Sequence, residues 1–172
     1  AGKRALANRA LTLCAASGSE DAAKLVADRF NGATNMTDRL AALTALVHQG
    51  LSGAEEALAH FRERYETTSL AIDKWFMVQA TSTQGDGLER VQALTAHPLY
   101  DFTNPNRVRA LIHAFATGNP TQFARADGAG FEFIADNALA LDARNPQVAS
   151  RLLTCFRSWR SLETGRAAQA EA

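Results

Sequence analysis

Apolar residues recur along the chain at spacings of three and four, the period at which one face of an α-helix is buried, and capping or turn residues divide them into many short helices. Leu6, Ala10, Leu13 and Cys14 predict the buried stripe of a first helix that Gly18 ends. Ser19 caps a second helix, with Glu20 and Asp21 in its first turn where carboxylates meet the positive end of the helix dipole. Its buried face is Ala22, Leu25, Val26 and Phe30, and Asn31-Gly32 stops it. A third helix, from about Thr37 to His48, rests on Met36, Leu40, Leu43 and Val47 and is closed by Gly50. Ser52 with Glu55 predicts a capping box in front of Leu58, Phe61 and Tyr65.

The stretch from Leu70 to Thr81 carries Leu70, Ile72, Trp75, Phe76, Met77 and Val78, which leave little of its circumference polar and predict a helix covered on most sides. Asp86 with Glu89 repeats the capping-box pattern before Leu88, Val91 and Leu94, and Pro98 stops that helix. Three later helices share one opening: Asn104-Pro105, Asn119-Pro120 and Asn145-Pro146. In each, the Asn is expected to accept from the free N–H groups while Pro, fixed near helical φ, takes the first helical position.

The reading is an all-α fold of about ten short helices of roughly 8 to 17 residues in antiparallel pairs, stacked as an α-α solenoid or superhelix. Composition agrees. Of the 172 residues, 35 are Ala and 19 Leu against only 9 Val plus Ile, which favours helix because β-branched side chains lose rotamer freedom there. More than about 60% helix is expected on this balance. No Gly/Ser linker or low-complexity run marks a boundary, so residues 1–172 read as a single helical domain. Residue 1 is Ala and the chain stops in helical pattern at Arg166-Ala-Ala-Gln-Ala-Glu-Ala172, as an excised piece of a longer protein would.

Charge narrows the function classes. Lys plus Arg number 18 and Asp plus Glu number 18, so no excess charge advertises nucleic acid as a partner. No apolar run is long enough to span a membrane, and the composition fits a cytoplasmic protein. Cys14 and Cys155 read as two buried thiols in a reducing compartment. His48, His60, His97 and His113 lack the spacing of a helical zinc motif, and no nucleophile elbow, phosphate loop or dinucleotide glycine pattern occurs. The stretch from Asp127 to Gly130 reads as a tight turn between helices. Neither a catalytic residue nor a metal ligand is expected in the chain.

Arginine is more informative, since 15 of the 18 basic residues are Arg. Arg109 and Arg151 each lie about one turn beyond an Asn-Pro helix start. Helical spacing separates Asn106, Arg109 and His113 from Val108, Leu111, Ile112 and Phe115, and separates Gln147, Arg151, Thr154 and Ser158 from Val148, Leu152, Phe156 and Trp159. Each helix therefore has a core face and a polar face headed by an Arg. Such a face either holds an anionic or carbonyl ligand or is an ordinary solvated surface with ion-paired guanidiniums.

Four strings, Asn35-Met-Thr-Asp-Arg-Leu40, Asp73-Lys-Trp-Phe76, Asn104-Pro-Asn-Arg-Val-Arg109 and Asn145-Pro-Gln-Val-Ala-Ser-Arg151, with Asp127-Gly128 between the last two, occur in this order. Together they resemble the C-terminal helical domain of the bacterial aminopeptidase N family, gluzincin zinc aminopeptidases. The resemblance covers nearly the whole chain. It implies a superhelix of helix pairs that closes over a catalytic domain of the same polypeptide, encloses the active-site cavity and admits short peptides. Zinc, its ligands and the general base belong, by the same resemblance, to the preceding part. It also implies that Arg109, Arg151, Gln147 and Asn106 line the cavity where the peptide beyond the scissile bond lies. The chain departs from the family pattern at Ala124, where His is common, and at Phe131, where Tyr is common, and it ends before the family's final helices. Two other readings use the residues alone: a free-standing helical-repeat scaffold for a protein partner, and a nucleic-acid binder using Arg157, Trp159 and Arg160, which the zero net charge opposes.

Overall fold

A computed structural model describes residues 2–171, and among these residues there is no strand. Helical conformations account for 76% of the described residues, in 11 runs, in line with the more than about 60% expected from the Ala and Leu excess. The helices are α1 (Gly2–Ala15), α2 (Glu20–Gly32), α3 (Met36–His48), α4 (Ala54–Tyr65), α5 (Ser69–Ala80) and α6 (Gly87–Thr95). Then come α7 (Pro105–Val108), a π-helical turn (Arg109–His113), α8 (Ala114–Gly118), α9 (Pro120–Phe123) and α10 (Ala129–Asp142). The series closes with α11 (Pro146–Leu152), a 3₁₀ segment (Leu153–Ser161) and α12 (Thr164–Glu171).

Most starts follow the capping chemistry of the sequence. Ser19 Oγ accepts from the Ala22 N–H at 3.2 Å, Asn35 Oδ1 from Asp38 at 3.0 Å, and Asp86 Oδ1 from Glu89 at 3.0 Å. Asn104 Oδ1 accepts from Asn106 at 3.0 Å and from Arg107 at 3.4 Å, and Asn145 Oδ1 from Val148 at 3.2 Å. Two expected caps are not made. Ser52 does not cap α4, because Gly53, at φ +85°, takes the position before the helix and supplies no side chain. Only glycine enters that left-handed region without strain, so the helix starts one residue later than the box predicts. Asn119 does not cap α9 either. Its side chain, fully buried, instead donates Nδ2 to the carbonyls of Ser82 at 2.7 Å and Ala80 at 3.4 Å.

The chain divides into two compact units, one ending at Val78 and one beginning at Gln79. In the first, Val26, Phe30, Leu43, Leu46, Phe61, Ile72 and Phe76 are almost wholly buried, and each such side chain contributes about 1.5–3 kcal/mol of transfer free energy. Arg39 on α3 is buried with them. It donates Nη2 to the Ala33 carbonyl and lies over the Phe30 ring at 5.5 Å from its centroid, joining α3 to the end of α2. Trp75 Nε1 donates to the Leu58 carbonyl at 3.0 Å, which ties α5 to α4. As expected, Ile72, Trp75, Phe76 and Val78 of α5 are buried; Leu70 and Met77 are not.

The first helix corrects the sequence reading. Leu6 and Leu13 are 72% and 66% exposed and Cys14 is exposed, while α1 packs through Leu11 and Ala15 instead. Polar contacts also join it to α3: Asp38 accepts from Asn8 Nδ2 at 3.0 Å and lies 3.5 Å from Arg4 Nε. Hydrogen bonds from Asn35 and Asn8, with help from the Arg4 and Arg29 charges, hold the Asp38 carboxyl below its ordinary pKa. On α2, Leu25 is also partly exposed.

In the second unit, Val91, Leu111, Ile112, Phe115, Ile134, Leu141 and Leu152 form the buried centre. Phe123, Phe131 and Phe156 add an aromatic cluster, with centroids 5.0, 5.5 and 5.9 Å apart. Phe131 is buried in that cluster, and the Ala124 carbonyl accepts from Arg166 Nε of α12 at 2.7 Å. Of the Asp127–Gly130 stretch read as a turn, Asp127 and Gly128 make the turn, while Ala129 and Gly130 already open α10. Two helices read as continuous are modified. The run from Pro105 to Gly118 contains a π turn, and the run beginning at Pro146 tightens to 3₁₀ after Leu152.

Candidate functional site

The run from Pro105 to Gly118 is unusually enclosed. Between Arg107 and Ala116 every residue is buried except Arg109 and His113. The helix therefore opens to solvent along one narrow line, and that line carries a guanidinium and an imidazole, with Asn106 one turn earlier. The π turn covers these two residues, Arg109 to His113. A π turn accommodates one extra residue, widens the helix locally and is frequent at functional sites. Here it keeps Val108, Leu111, Ile112 and Phe115 buried while leaving Arg109 and His113 on the open side.

Against this line lies the α11 face. A cavity of about 280 Å³ is lined by Pro105, Asn106, Val108, Arg109 and His113 on one side and by Val148, Arg151, Leu152 and Thr154 on the other. Val108, Val148 and Leu152 give it an apolar floor, and Asn106, Arg109, His113, Arg151 and Thr154 supply the polar groups. Arg109 Nη2 donates to Asn106 Oδ1 at 3.1 Å, which orients the guanidinium along the helix. Among the described residues neither Arg109 nor Arg151 is in an ion pair, although Arg125 takes Asp86 and Asp127, and Arg166 takes Glu163. Thr154 Oγ1 donates to the Arg151 carbonyl at 2.6 Å. Burial and then the neighbouring Arg109 charge push the His113 imidazole below its ordinary pKa, so it is neutral near pH 7.

Two guanidiniums without a counter-ion, over an apolar floor and with no carboxylate in the lining, make a concave anion-receiving surface. Of the sequence candidates, the structure brings together Asn106, Arg109 and Arg151. Gln147, one turn earlier on α11, is exposed and outside the cavity. His113 and Thr154 are inside it. Both lie on the polar faces drawn from helical spacing, so the signal for them is the spacing itself.

A larger recess, of about 730 Å³, lies among α1, α2 and the start of α3 in the first unit, but its Asp38 is already committed to Asn8, Asn35 and Arg4. In the 3₁₀ segment the Arg160 guanidinium lies over Trp159 at 4.4 Å from the ring centroid. No helix among the described residues is long and apolar enough to cross a membrane, and no three His, Cys, Asp or Glu side chains converge as metal ligands.

A family described as "Domain of unknown function (DUF3458_C) ARM repeats" matches residues 1–172. Among curated proteins, the chain is 45% identical over 161 residues to the aminopeptidase N of Caulobacter vibrioides, covering 93% of this chain and 18% of that protein. It is 42% identical over 151 residues to the aminopeptidase N of Escherichia coli K12, covering 88% of this chain and 17% of that protein. Among solved structures, Legionella pneumophila aminopeptidase A in complex with aspartic acid superposes with a TM-score of 0.83 at 31% identity, over 88% of this chain and 18% of that one. The chain thus spans less than a fifth of the length of these relatives.

Proposed function

Because the chain belongs to the DUF3458_C ARM-repeat family, we propose that it is the helical C-terminal domain of a larger cytoplasmic, zinc-dependent aminopeptidase N that removes N-terminal residues from short peptides. Zinc supplies Lewis-acid and water-activating chemistry in such enzymes, and its ligands come from elsewhere in the polypeptide. The domain's own task is physical. It closes over the catalytic domain, excludes folded protein and bulk water, and holds the part of the peptide beyond the scissile bond. Water exclusion strengthens the electrostatic contacts made inside such an enclosure.

The observation that carries this reading is the pair of unpaired guanidiniums, Arg109 and Arg151, facing one cavity from two helices. Guanidiniums hold a carboxylate or a peptide carbonyl by planar, charge-assisted hydrogen bonds. Asn106 steers Arg109, and Gln147 extends the polar surface outward on α11 toward longer peptides. Anchoring the remote end fixes the scissile bond without touching the reacting atoms, so the binding energy appears as orientation.

In the full-length protein, Arg109→Ala and Arg151→Ala are each expected to raise the barrier for a tripeptide by about 1.5–3 kcal/mol, roughly 10- to 150-fold in kcat/KM. A single-residue chromogenic amide, which has no downstream carboxylate, should lose much less. Arg→Lys should restore only part, because an ammonium cannot reproduce the bidentate fork. Equal losses on both substrates, or none on either, with circular dichroism unchanged, refute the assignment.

A further inference from the structure

The cavity contains a third polar group that the two-arginine reading leaves without a task. His113 is half-buried on the open line of an otherwise enclosed helix, one π turn from Arg109, and its ring makes no hydrogen bond within the described residues. A buried-edge imidazole facing a cavity that already holds two positive groups is costly to charge in the empty state. It becomes easier to charge when an anion enters.

We infer that His113 is a specificity-determining residue of this cavity, which strengthens the preference for a peptide's free C-terminal carboxylate by taking up a proton as that carboxylate binds. The inference rests on the proposed downstream-peptide role of the cavity. The ligand class follows from the lining: two guanidiniums, an imidazole, a hydroxyl and an amide, with no acidic side chain to balance them.

The electrostatic setting is simple. The elements packed most closely against the π turn are α6, α7, α8 and α11, and the 3₁₀ segment reaches the same cavity through Thr154 while its Arg157 and Arg160 do not line it. Of their charged side chains, Glu89 and Arg90 of α6, Arg107 of α7 and Arg151 of α11, only Arg151 lines the cavity, joined there by Arg109 of the turn itself. Both cavity charges are positive. In the empty protein His113 therefore titrates below the ordinary imidazole range, with burial the larger cause and Arg109 the smaller. A carboxylate seated between the arginines cancels that repulsion and draws the imidazole pKa upward. By linkage, an upward shift of about one unit equals a tenfold gain in affinity when His113 is protonated. The carboxylate ligand stays ionised throughout, since it titrates near pH 3.5.

The test is binding to the full chain, independent of aminopeptidase activity. The probes are N-acetyl-trialanine with a free carboxylate and the same peptide as its C-terminal carboxamide, followed by NMR at about pH 5.5 and about pH 8. The expected result is about five- to tenfold tighter binding of the carboxylate peptide at the lower pH, a His113 ring titration displaced upward on saturation, and a pH-independent response in His113→Gln and with the carboxamide. A carboxylate preference equal at both pH values, with an unmoved His113 titration, overturns the inference and leaves the arginine role intact. No carboxylate preference at either pH overturns the cavity reading itself. If His113→Gln does not fold, the wild-type ring titration with and without peptide decides.

Discussion

Replacing Gly130 with Ala sets two effects against each other, and the structure gives their sizes. Gly130 is the second residue of α10, where Ala is intrinsically better than Gly in a helix by about 0.5–1 kcal/mol, and less near an end. A methyl group at this position, however, would overlap the carbonyl oxygens of Gln122 and Phe123 and stand 2.8 Å from the Phe123 carbonyl carbon. These are backbone atoms, so no rotamer change relieves the overlap. The end of α9 and the start of α10 must separate, which also loosens Phe131 from Phe123, whose rings sit 5.0 Å apart. Overpacking of this kind costs about 1–3 kcal/mol, and the lost aromatic contact about 0.5–1.5 kcal/mol more. The net expectation is a destabilisation of about 2 kcal/mol, a fall in Tm of roughly 4–8 °C for a chain of this size. Gly32→Ala is the matched control. Gly32 ends α2 and its added Cβ meets nothing within 4 Å, so that variant should be neutral or slightly more stable. Thermal unfolding followed by circular dichroism reads both. A Gly130→Ala protein as stable as wild type, or a Gly32→Ala protein destabilised as much, would refute the close-approach argument.

Two further outcomes are expected. Asn119→Ala should cost more than Asn104→Ala, about 2–3 kcal/mol against about 1 kcal/mol in urea unfolding, because Asn119 satisfies two buried carbonyls and Asn104 only a helix end at the surface. Equal costs would mean that the two Asn-Pro openings do the same job. Under native conditions near pH 8, a thiol reagent should modify Cys14, which is exposed, well before Cys155, whose thiol is pushed up to about 12 by burial. Modification of both at one rate, followed by mass spectrometry of the peptides, would contradict the burial of Cys155.

The parts of this fold that were legible are those in which a local signal has a local answer. Ser19, Asn35, Asp86, Asn104 and Asn145 each accept from an N–H two or three residues ahead, and Asp86 keeps its cap while also accepting from the distant Arg125 guanidinium. Asn119 carries the same Asn-Pro signal, yet two distant backbone carbonyls claim its amide group. Ser52 fails for a nearer reason, since Gly53 can adopt a conformation that removes the serine from the capping position. On α1, Leu6 and Leu13 have helical periodicity, but periodicity names a face without naming a neighbour. In the structure Leu11 and Ala15 are the buried residues of α1, and Asn8 and Arg4 on the same helix meet Asp38 of α3.

The same distinction explains what could be read of the candidate site. Arg109 and Arg151 lie four and five residues beyond the proline of an Asn-Pro start, so their placement near the openings of two helices follows from capping chemistry alone. That those openings face one another across a cavity depends on the packing of α11 against the π turn, which no local spacing encodes. The π turn is itself invisible in the pattern, because Val108, Leu111, Ile112 and Phe115 share one face at the α-helical period as well. What marks the segment is instead the absence of exposed residues around it. A helix with Ala110, Ala114 and Ala116 buried alongside its large side chains has surrendered every side but one to packing. Leaving a charged and a titratable residue on the remaining side contributes little to stability in an exposed setting. Their placement opposite Arg151, with no acidic residue between, instead favours an anion supplied from outside the domain, and it is there that substitutions of Arg109, Arg151 and His113 should separate binding from folding.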